Sequence, residues 1–264
     1  MNFKKMLFNK KEKPLDSFVE SYSNTSIFQK IAFIGDSLSS GEFEAFNNKG
    51  ERTYHDMFWY SWGQYIARKN GITAYNFSRG GMTAKEYIES FAEENGMWDK
   101  EKAAQAYVIA LGVNDLYVKR GEVGSVSDID REDYRNNKPT FIGYYAAIVS
   151  RYKEINPDSK FFFVTFPNTV DNAKDTKTAE MIKALYDLTE IFDNSYVIDL
   201  FKYGPVYDEE FKEKYYLHSH LNPMGYILTA KLVDSYIDYI IRHNPDDFKN
   251  VGFIGKGIDY SEVE

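Results

Sequence analysis

The segment KIAFIGD, residues 30–36, carries the clearest fold signal in the chain. It is a compact apolar run that ends at Gly35-Asp36, and it does not alternate between apolar and polar positions. Such a run is typical of a parallel strand that is covered on both faces. Comparable runs follow at TAYNFS (73–78), AYVIALG (106–112), KFFFVTF (160–166) and SYVIDL (195–200). The chain therefore has candidate strands for a parallel sheet.

Helical patterns separate these strands. The candidate helices cover roughly residues 57–69, 83–94, 139–155, 173–191 and 222–243. The last of them starts with a capping Asn222 and with Pro223, which suits the first helical position. Alternation of strands and helices indicates βαβ units and an α/β domain. We predict one domain over residues 28–243, an N-terminal arm (1–27) and a C-terminal tail (244–264), while 113–138 reads as a long excursion above the sheet.

Composition and charge exclude several classes of protein. The chain has 264 residues, no cysteine and a net charge of −8, so thiolate chemistry and disulfides are excluded and a general nucleic-acid binder is disfavoured. The first thirteen residues contain five lysines but no long apolar run, so they do not form a secretory signal. No segment approaches the roughly 18 apolar residues of a membrane span. We expect a cytoplasmic protein without a membrane span.

Polar and glycine residues follow the carboxyl ends of several predicted strands. Ser37 follows the first strand, and the Gly80-Gly81 pair follows the second. Asn114 follows the third, while His220 lies in the loop after the fifth, just before the last helix. Because open parallel sheets bind ligands at the carboxyl ends of their strands, we expect these residues to meet in one cleft.

This set of residues has the composition of a serine-dependent acyl-transfer site. A serine hydroxyl is a poor nucleophile at neutral pH, so it needs a base within hydrogen-bond reach and donors for the oxyanion of the tetrahedral intermediate. His220 is the candidate base, and the N–H of Gly81 and the amide of Asn114 are candidate donors. Gly-Asp-Ser-Leu alone is a weak signal, since a serine after a strand is commonly a helix cap.

Four blocks, in this order, resemble the SGNH or GDSL hydrolase family: IAFIGDSLSSGE (31–42), YNFSRGGMT (75–83), LGVND (111–115) and HLNPMGY (220–226). The resemblance covers about residues 30–243 and implies a flavodoxin-like three-layer α/β/α sandwich with a five-stranded parallel sheet. It further implies that Ser37 is the nucleophile and His220 the base. The oxyanion hole would consist of the Ser37 N–H, the Gly81 N–H and the Asn114 amide, with no cofactor and no metal.

The chain departs from this family at one position. Most members carry an aspartate three residues before the histidine, where this chain has Leu217. A neutral leucine cannot stabilise the imidazolium that forms when His220 accepts a proton. We expect a serine–histidine dyad whose imidazole is oriented by a backbone carbonyl. The alternatives are an acid from elsewhere, for which Asp199, Asp208 and Glu42 are candidates, and a cleft that only binds.

The predicted activity is hydrolysis of small acyl esters, acetyl esters in particular, through an acyl-enzyme. Within the family, deacetylation of carbohydrates is frequent, so the expected partner is a small ester such as an acetylated sugar. Alternatives are a non-catalytic carbohydrate-binding protein on the same scaffold and a lipid or thioester hydrolase.

Two other features carry competing interpretations. His218 and His220 form an H-x-H pair that suits a metal, but no third ligand occurs at a suitable spacing. The aromatic run after the first loop is either a sugar-stacking wall or part of the core. Its members are Tyr54, Phe58, Trp59, Tyr60 and Trp62.

Overall fold

A sheet of five parallel strands forms the centre of the computed structural model, which describes residue 9 and residues 11–258. The spatial order of the strands is β4-β1-β5-β6-β7. These strands are β1 (Lys30–Gly35), β4 (Thr73–Ser78), β5 (Ala106–Ala110), β6 (Lys160–Val164) and β7 (Ser195–Ile198). All five predicted strands are present, and the predicted α/β sandwich is confirmed.

Helices cover both faces of this sheet. Helices α3, α4 and α5 enclose one half of the core, and α2 and α8 enclose the other half. The helices are α1 (Ser37–Ser40), α2 (Trp62–Asn70), α3 (Ala84–Glu86, Tyr87–Phe91 and Ala92–Glu94, the middle piece π-helical), α4 (Phe141–Ile155), α5 (Thr176–Thr189), α6 (Leu200–Tyr203), α7 (Glu209–Tyr215), α8 (Pro223–His243) and α9 (Pro245–Phe248).

The strand register brings three strand ends to the same level. Gly35 at the end of β1 pairs with Ser78 at the end of β4 and with Ala110 at the end of β5. The loops that leave these strands carry Ser37, Gly81 and Asn114. These loops therefore lie together at one edge of the sheet.

Two antiparallel hairpins, which the sequence did not predict, lie at the same edge. The first consists of β2 (Glu42–Phe46) and β3 (Arg52–Asp56), and the second of β8 (Tyr216–Leu217) and β9 (His220–Leu221). Strand β2 lies against β9. Because of the first hairpin, the predicted helix 57–69 begins only at Trp62, where Ser61 caps it by accepting the N–H of Gln64 at 3.2 Å.

The described parts of the arm and the tail pack on the domain. In the arm, Ser23 donates a hydrogen bond to Asp234 of α8 at 2.6 Å, and Glu12 pairs with Arg242 at 2.8 Å. In the tail, Phe248 is buried in the half of the core that contains α8. The lysine-rich start of the predicted arm and residues 259–264 of the predicted tail lie outside the described residues. Within the described ranges, no helix has the length and apolarity to cross a bilayer.

Candidate functional site

Ser37 lies on a tight turn at the end of β1. It is the first residue of α1, and Asp36 caps this turn by accepting the N–H of Leu38 at 3.1 Å. A side chain at Gly35 would place its Cβ 2.2 Å from the Ser39 hydroxyl oxygen, so the strand end requires glycine. Ser37 is half-buried, and its hydroxyl has no hydrogen-bond partner among the described residues. The turn therefore presents a free hydroxyl at the edge of the sheet.

Asn114 links the loops that follow β1, β4 and β5. Its amide nitrogen donates to the backbone oxygen of Met82 at 3.1 Å and lies 3.4 Å from Asp36 Oδ2. Gly81, next to Met82, has φ of +72°, a left-handed conformation that favours glycine. The space around its missing side chain is open, since no atom lies within 4 Å of the position of a Cβ. The structure therefore brings the predicted oxyanion residues into one connected set.

His220 begins β9, which packs beside the Ser37–Ser40 turn. The imidazole side chain is 14% exposed. Its Nε2 lies 3.1 Å from Glu42 Oε1, and its Nδ1 lies 3.1 Å from the Ser219 hydroxyl oxygen. Burial lowers the pKa of His220 below the ordinary histidine value, while the carboxylate of Glu44 acts in the opposite direction. The ring is therefore neutral at pH 7, as a general base must be before it accepts a proton.

Glu44 is the charged group on the Nδ1 side of this ring. Its side chain is fully buried, and Oε2 lies 3.6 Å from His220 Nδ1. Oε2 accepts hydrogen bonds from both the hydroxyl and the backbone N–H of Ser219. Oε1 pairs with Arg52 Nε at 2.8 Å. The hydrogen bond from the Ser219 hydroxyl lowers the pKa of Glu44, so this carboxyl is ionised at neutral pH.

Glu42 lies on the opposite side of the imidazole, at Nε2. Its carboxyl also lies over Gly80, where a Cβ would come within 2.0 Å of Oε2. Burial and, after it, the nearby carboxylates of Asp56, Asp36 and Glu44 raise the pKa of Glu42 to about 7. Glu42 is therefore protonated in part at neutral pH, with its Oε1 3.1 Å from Nε2.

The three candidate acids of the sequence occupy different places. Glu42 contacts the ring nitrogen Nε2. Asp199 caps α6 and bonds to Thr165 and to the Tyr186 hydroxyl, while Asp208 caps α7. Neither of these two aspartates contacts His220 in the described chain.

Glu44 and Ser219 were not among the predicted site residues. A signal was present in Glu42-Phe43-Glu44, because residues two apart in a strand point to the same face. Both glutamates of β2 do reach His220. Leu217, at the usual acid position, is exposed and pairs directly with His220 in the β8–β9 hairpin.

The two histidines of the H-x-H pair have different neighbours, and so do the members of the aromatic run. The ring of His218 packs edge-on against Phe46 at 5.0 Å and does not share the contacts of His220. Within the described residues, no three acidic or histidine side chains are arranged to hold a metal ion. Tyr54 lies edge-on to His220 at 5.9 Å and is half-exposed, whereas Trp62 is buried against Phe33. Of the predicted aromatic run, Tyr54 is thus the member that borders the imidazole.

A cleft runs beside the Ser37 turn. Its volume is about 490 Å³, within the range of small-molecule sites. Leu38, next to Ser37, and Val113, next to Asn114, form its inner wall, and Asp171, Asn172 and Asp175 lie along its lining. The rest of the lining consists of Thr169 and of aromatic and apolar side chains: Tyr117, Phe166, Pro167 and Tyr216. This cleft, with both apolar and polar walls, therefore lies beside the turn that carries the free serine hydroxyl.

Comparisons with solved structures find carbohydrate esterases on the same fold. A family two carbohydrate esterase from Clostridium thermocellum, solved in complex with cellohexaose, is 18% identical with a TM-score of 0.55, covering 89% of this chain and 66% of that chain. A family two enzyme from Corynascus thermopiles, which also has a carbohydrate-binding domain, is 14% identical with a TM-score of 0.55, covering 87% and 69%. A family 3 carbohydrate esterase from Clostridium thermocellum is 14% identical with a TM-score of 0.52, covering 81% and 97%.

The sequence comparisons are of two kinds. A search of curated proteins finds no match. The model of the GDSL-like lipase/acylhydrolase family, in contrast, matches residues 33–228, which include the Ser37 turn, both loops of the oxyanion set and His220. With this match over most of its length, and with the three-layer sandwich in place, the chain belongs to the GDSL-like lipase/acylhydrolase family.

Proposed function

We propose that the protein hydrolyses small acyl esters through an acyl-enzyme on Ser37, with His220 as general base. The observation that supports this most is the Asn114 amide, whose hydrogen bonds join the nucleophile turn to the Gly81 loop. The same turn packs beside the strand that carries His220. A Ser37 oxygen, an imidazole and several hydrogen-bond donors at one sheet edge are the parts that acyl transfer requires.

The proposed reaction has two stages, the acylation of Ser37 and its deacylation by water. The Ser37 oxygen forms a bond to the ester carbonyl carbon while its proton passes to His220 Nε2, and the oxyanion is held by the Ser37 N–H, the Gly81 N–H and the Asn114 amide. The carbon–oxygen bond to the alcohol then breaks, and the alcohol leaves with the proton from His220. Water attacks the acyl-enzyme with His220 again as base, which releases the carboxylic acid and restores Ser37.

Glu42 must move away from Nε2 before Ser37 can transfer its proton to this nitrogen. In the structure, the polar atom recorded next to Nε2 is Glu42 Oε1, at 3.1 Å, and no hydrogen bond joins Nε2 to the serine in the described chain. Hydrogen bonds between catalytic groups are often long or misdirected in the ligand-free state and tighten when substrate binds. We propose that an ester bound over Ser37 displaces the Glu42 carboxyl from the ring.

We further propose that the natural substrate is an acetylated carbohydrate. The carbohydrate esterases on the same fold support this class, and one of them was solved with cellohexaose. The cleft supports it as well, since Asp171 offers a carboxylate to sugar hydroxyls and the aromatic side chains of Tyr117 and Tyr216 also line it.

The experiment compares hydrolysis of nitrophenyl acetate by the wild type and by matched alanine variants. We expect Ser37→Ala and His220→Ala to lose activity by about 10³-fold or more. The exposed residues Ser21 and His55 give matched controls, and Ser21→Ala and His55→Ala should keep wild-type turnover. Equal activity of Ser37→Ala and wild type would reject the mechanism.

A second assay tests the substrate class. Acetate release from acetylated cello- and xylo-oligosaccharides is compared with turnover of nitrophenyl butyrate and octanoate. We expect a higher kcat/KM on the sugar esters than on either longer nitrophenyl ester. A preference for the octanoate would contradict the carbohydrate proposal and favour a lipid or thioester hydrolase.

A further inference from the structure

The base of an acyl-transfer site needs a partner at its second ring nitrogen. This partner holds one tautomer of the imidazole and stabilises the imidazolium as the proton arrives. The residue three positions before His220 is Leu217, which offers neither a hydrogen bond nor a charge. A group from another part of the chain must therefore act as the partner of Nδ1.

We propose that Glu44 is the positioning residue for His220 and that it acts through the hydroxyl of Ser219. This role rests on the proposed function, in which His220 is the base. Glu44 comes from the hairpin that follows the nucleophile turn, and its bond to Ser219 spans 175 positions of sequence. The acid thus comes from near the start of the domain's sequence, whereas His220 lies near its end.

The hydrogen bonds fix the direction of this relay. Ser219 Oγ lies between the two groups, 3.1 Å from His220 Nδ1 and in a short hydrogen bond with Glu44 Oε2. An ionised carboxylate only accepts, so the Ser219 hydroxyl donates to Glu44 and accepts from Nδ1–H. The proton is then held on Nδ1, and Nε2 keeps the free lone pair that the reaction uses.

The Glu44 carboxylate is held rigidly and away from water. Its strand pairs with β3, where Glu44 lies opposite Tyr54, and Arg52 binds its other oxygen at 2.8 Å. The side chain is fully buried, so its charge is weakly screened and acts on the ring at 3.6 Å.

Other groups around the ring do not replace this contact. Glu42 lies at the opposite nitrogen, Nε2, so it does not contact Nδ1 and must leave the ring when Ser37 reacts. Asp56 adds negative charge near the ring and Arg52 adds positive charge, but neither one forms a hydrogen bond with it. Tyr54 contacts the ring by its edge.

The first test is the pH profile of Glu44→Gln beside the wild type. We expect kcat to fall about a hundredfold, less than the loss of a directly bonded acid, because the contact runs through a hydroxyl. The acid limb of kcat/KM, which reports the base, should also move to lower pH because the Glu44 charge no longer raises the pKa of His220. Glu51→Gln, an exposed change in the same hairpin, is the control and should alter neither.

The second test restores an acid at the usual position. Leu217 pairs with His220 across the β8–β9 hairpin, so their Cβ atoms lie about 4.5–5.5 Å apart on one face. Leu217→Asp in the Glu44→Gln background should recover kcat by about tenfold and move the acid limb back up. A purely structural role for Glu44 predicts no recovery and no movement.

The outcomes separate this inference from the proposed function. If Ser37→Ala and His220→Ala lose turnover while a folded Glu44→Gln keeps at least about half of wild-type kcat and its acid limb, the role of Glu44 is rejected alone. If the two alanine variants keep turnover, the proposed function itself fails.

Circular dichroism checks that Glu44→Gln folds. If it does not, Ser219→Ala replaces it, because this change removes the relay and leaves Glu44 with Arg52. We expect kcat to fall about fivefold or more with KM little changed, while the acid limb stays near its wild-type position because the Glu44 charge remains. An unchanged kcat in Ser219→Ala overturns the relay.

Discussion

Glu42 is a buried carboxyl whose ionisation opposes folding. Its side chain is 11% exposed, and its neighbours Asp56, Asp36 and Glu44 are also acidic. Burial and this negative surrounding raise its pKa from 4.5 to about 7. Between these two values the folded protein binds a proton that the unfolded chain has already released. Its contribution to the free energy of unfolding is therefore full below pH 4.5 and declines as pH rises towards 7.

Glu42→Gln removes this titration and keeps a neutral side chain of the same shape. At pH 5 wild type and variant should be about equally stable, because Glu42 is protonated in the folded wild type. At pH 8 the variant should be the more stable. A shift from 4.5 to about 7 corresponds to about 3 kcal/mol at most, and allowing for relaxation and water entry we expect about 1–2 kcal/mol.

The assay is thermal unfolding of both proteins at pH 5 and pH 8. For a chain of this size, 1–2 kcal/mol corresponds to a Tm difference of about 2–8 °C. Asp36, whose pKa burial also raises to about 7, lowers the stability of both proteins at high pH, so the difference between them isolates Glu42. Glu51→Gln should show no pH-dependent difference. Equal Tm differences at both pH values, or a variant less stable than wild type at pH 8, would show that ionisation of Glu42 does not destabilise the fold.

Three further expectations follow from single contacts. Asn114→Ala should lower kcat by about 10²–10³-fold with a smaller change in KM, because its amide is proposed to bind the oxyanion; a kcat within about twofold of wild type would contradict this. Gly80→Ala should lower Tm and displace Glu42, since the new methyl carbon would lie 2.0 Å from its Oε2; an unchanged Tm would show that the carboxyl moves aside freely. Tyr226→Phe should destabilise by about 1–3 kcal/mol, measured by denaturant unfolding, because it leaves the buried backbone oxygen of Glu42 without its 2.7 Å hydrogen bond; a loss under about 0.5 kcal/mol would contradict this.

The central sheet could be predicted because burial on both faces leaves a clear mark on sequence. Residues 161–164 of β6, for example, form a continuous apolar run because helices cover both faces of the strand. The polar residues that follow these strands also have a fixed meaning, because parallel strands end at one edge. The places of Ser37, Gly81 and Asn114 at one edge follow from this rule alone.

The β2–β3 hairpin could not be predicted by the same reasoning. Strand β3, Arg52–Asp56, is almost entirely exposed, so its sequence RTYHD has no apolar pattern. The turn residues before it, including Gly50 with φ of +77°, were a signal that a hairpin was possible. Because the hairpin was not predicted, the following helix was predicted to start at residue 57, whereas it starts at Trp62.

The acid was harder to find, because its position depends on a contact between distant segments. Reasoning from the family pattern looks three residues before His220, whereas Glu44 precedes it by 176 positions. Only the packing of β2 against β9 brings the two together. The pair Glu42 and Glu44 was a local hint, but the strand that gives it meaning was not recognised.

Covalent labelling by a fluorophosphonate is the decisive test of whether Ser37 is an activated nucleophile. Such a probe forms a covalent bond with a serine oxygen only when the serine is activated by a base and the oxyanion donors. We predict one adduct per chain, located on the Ser37 peptide by mass spectrometry and lost in His220→Ala. A folded protein with no adduct, or with an adduct on another serine that persists in Ser37→Ala, would contradict the assignment of Ser37 as nucleophile.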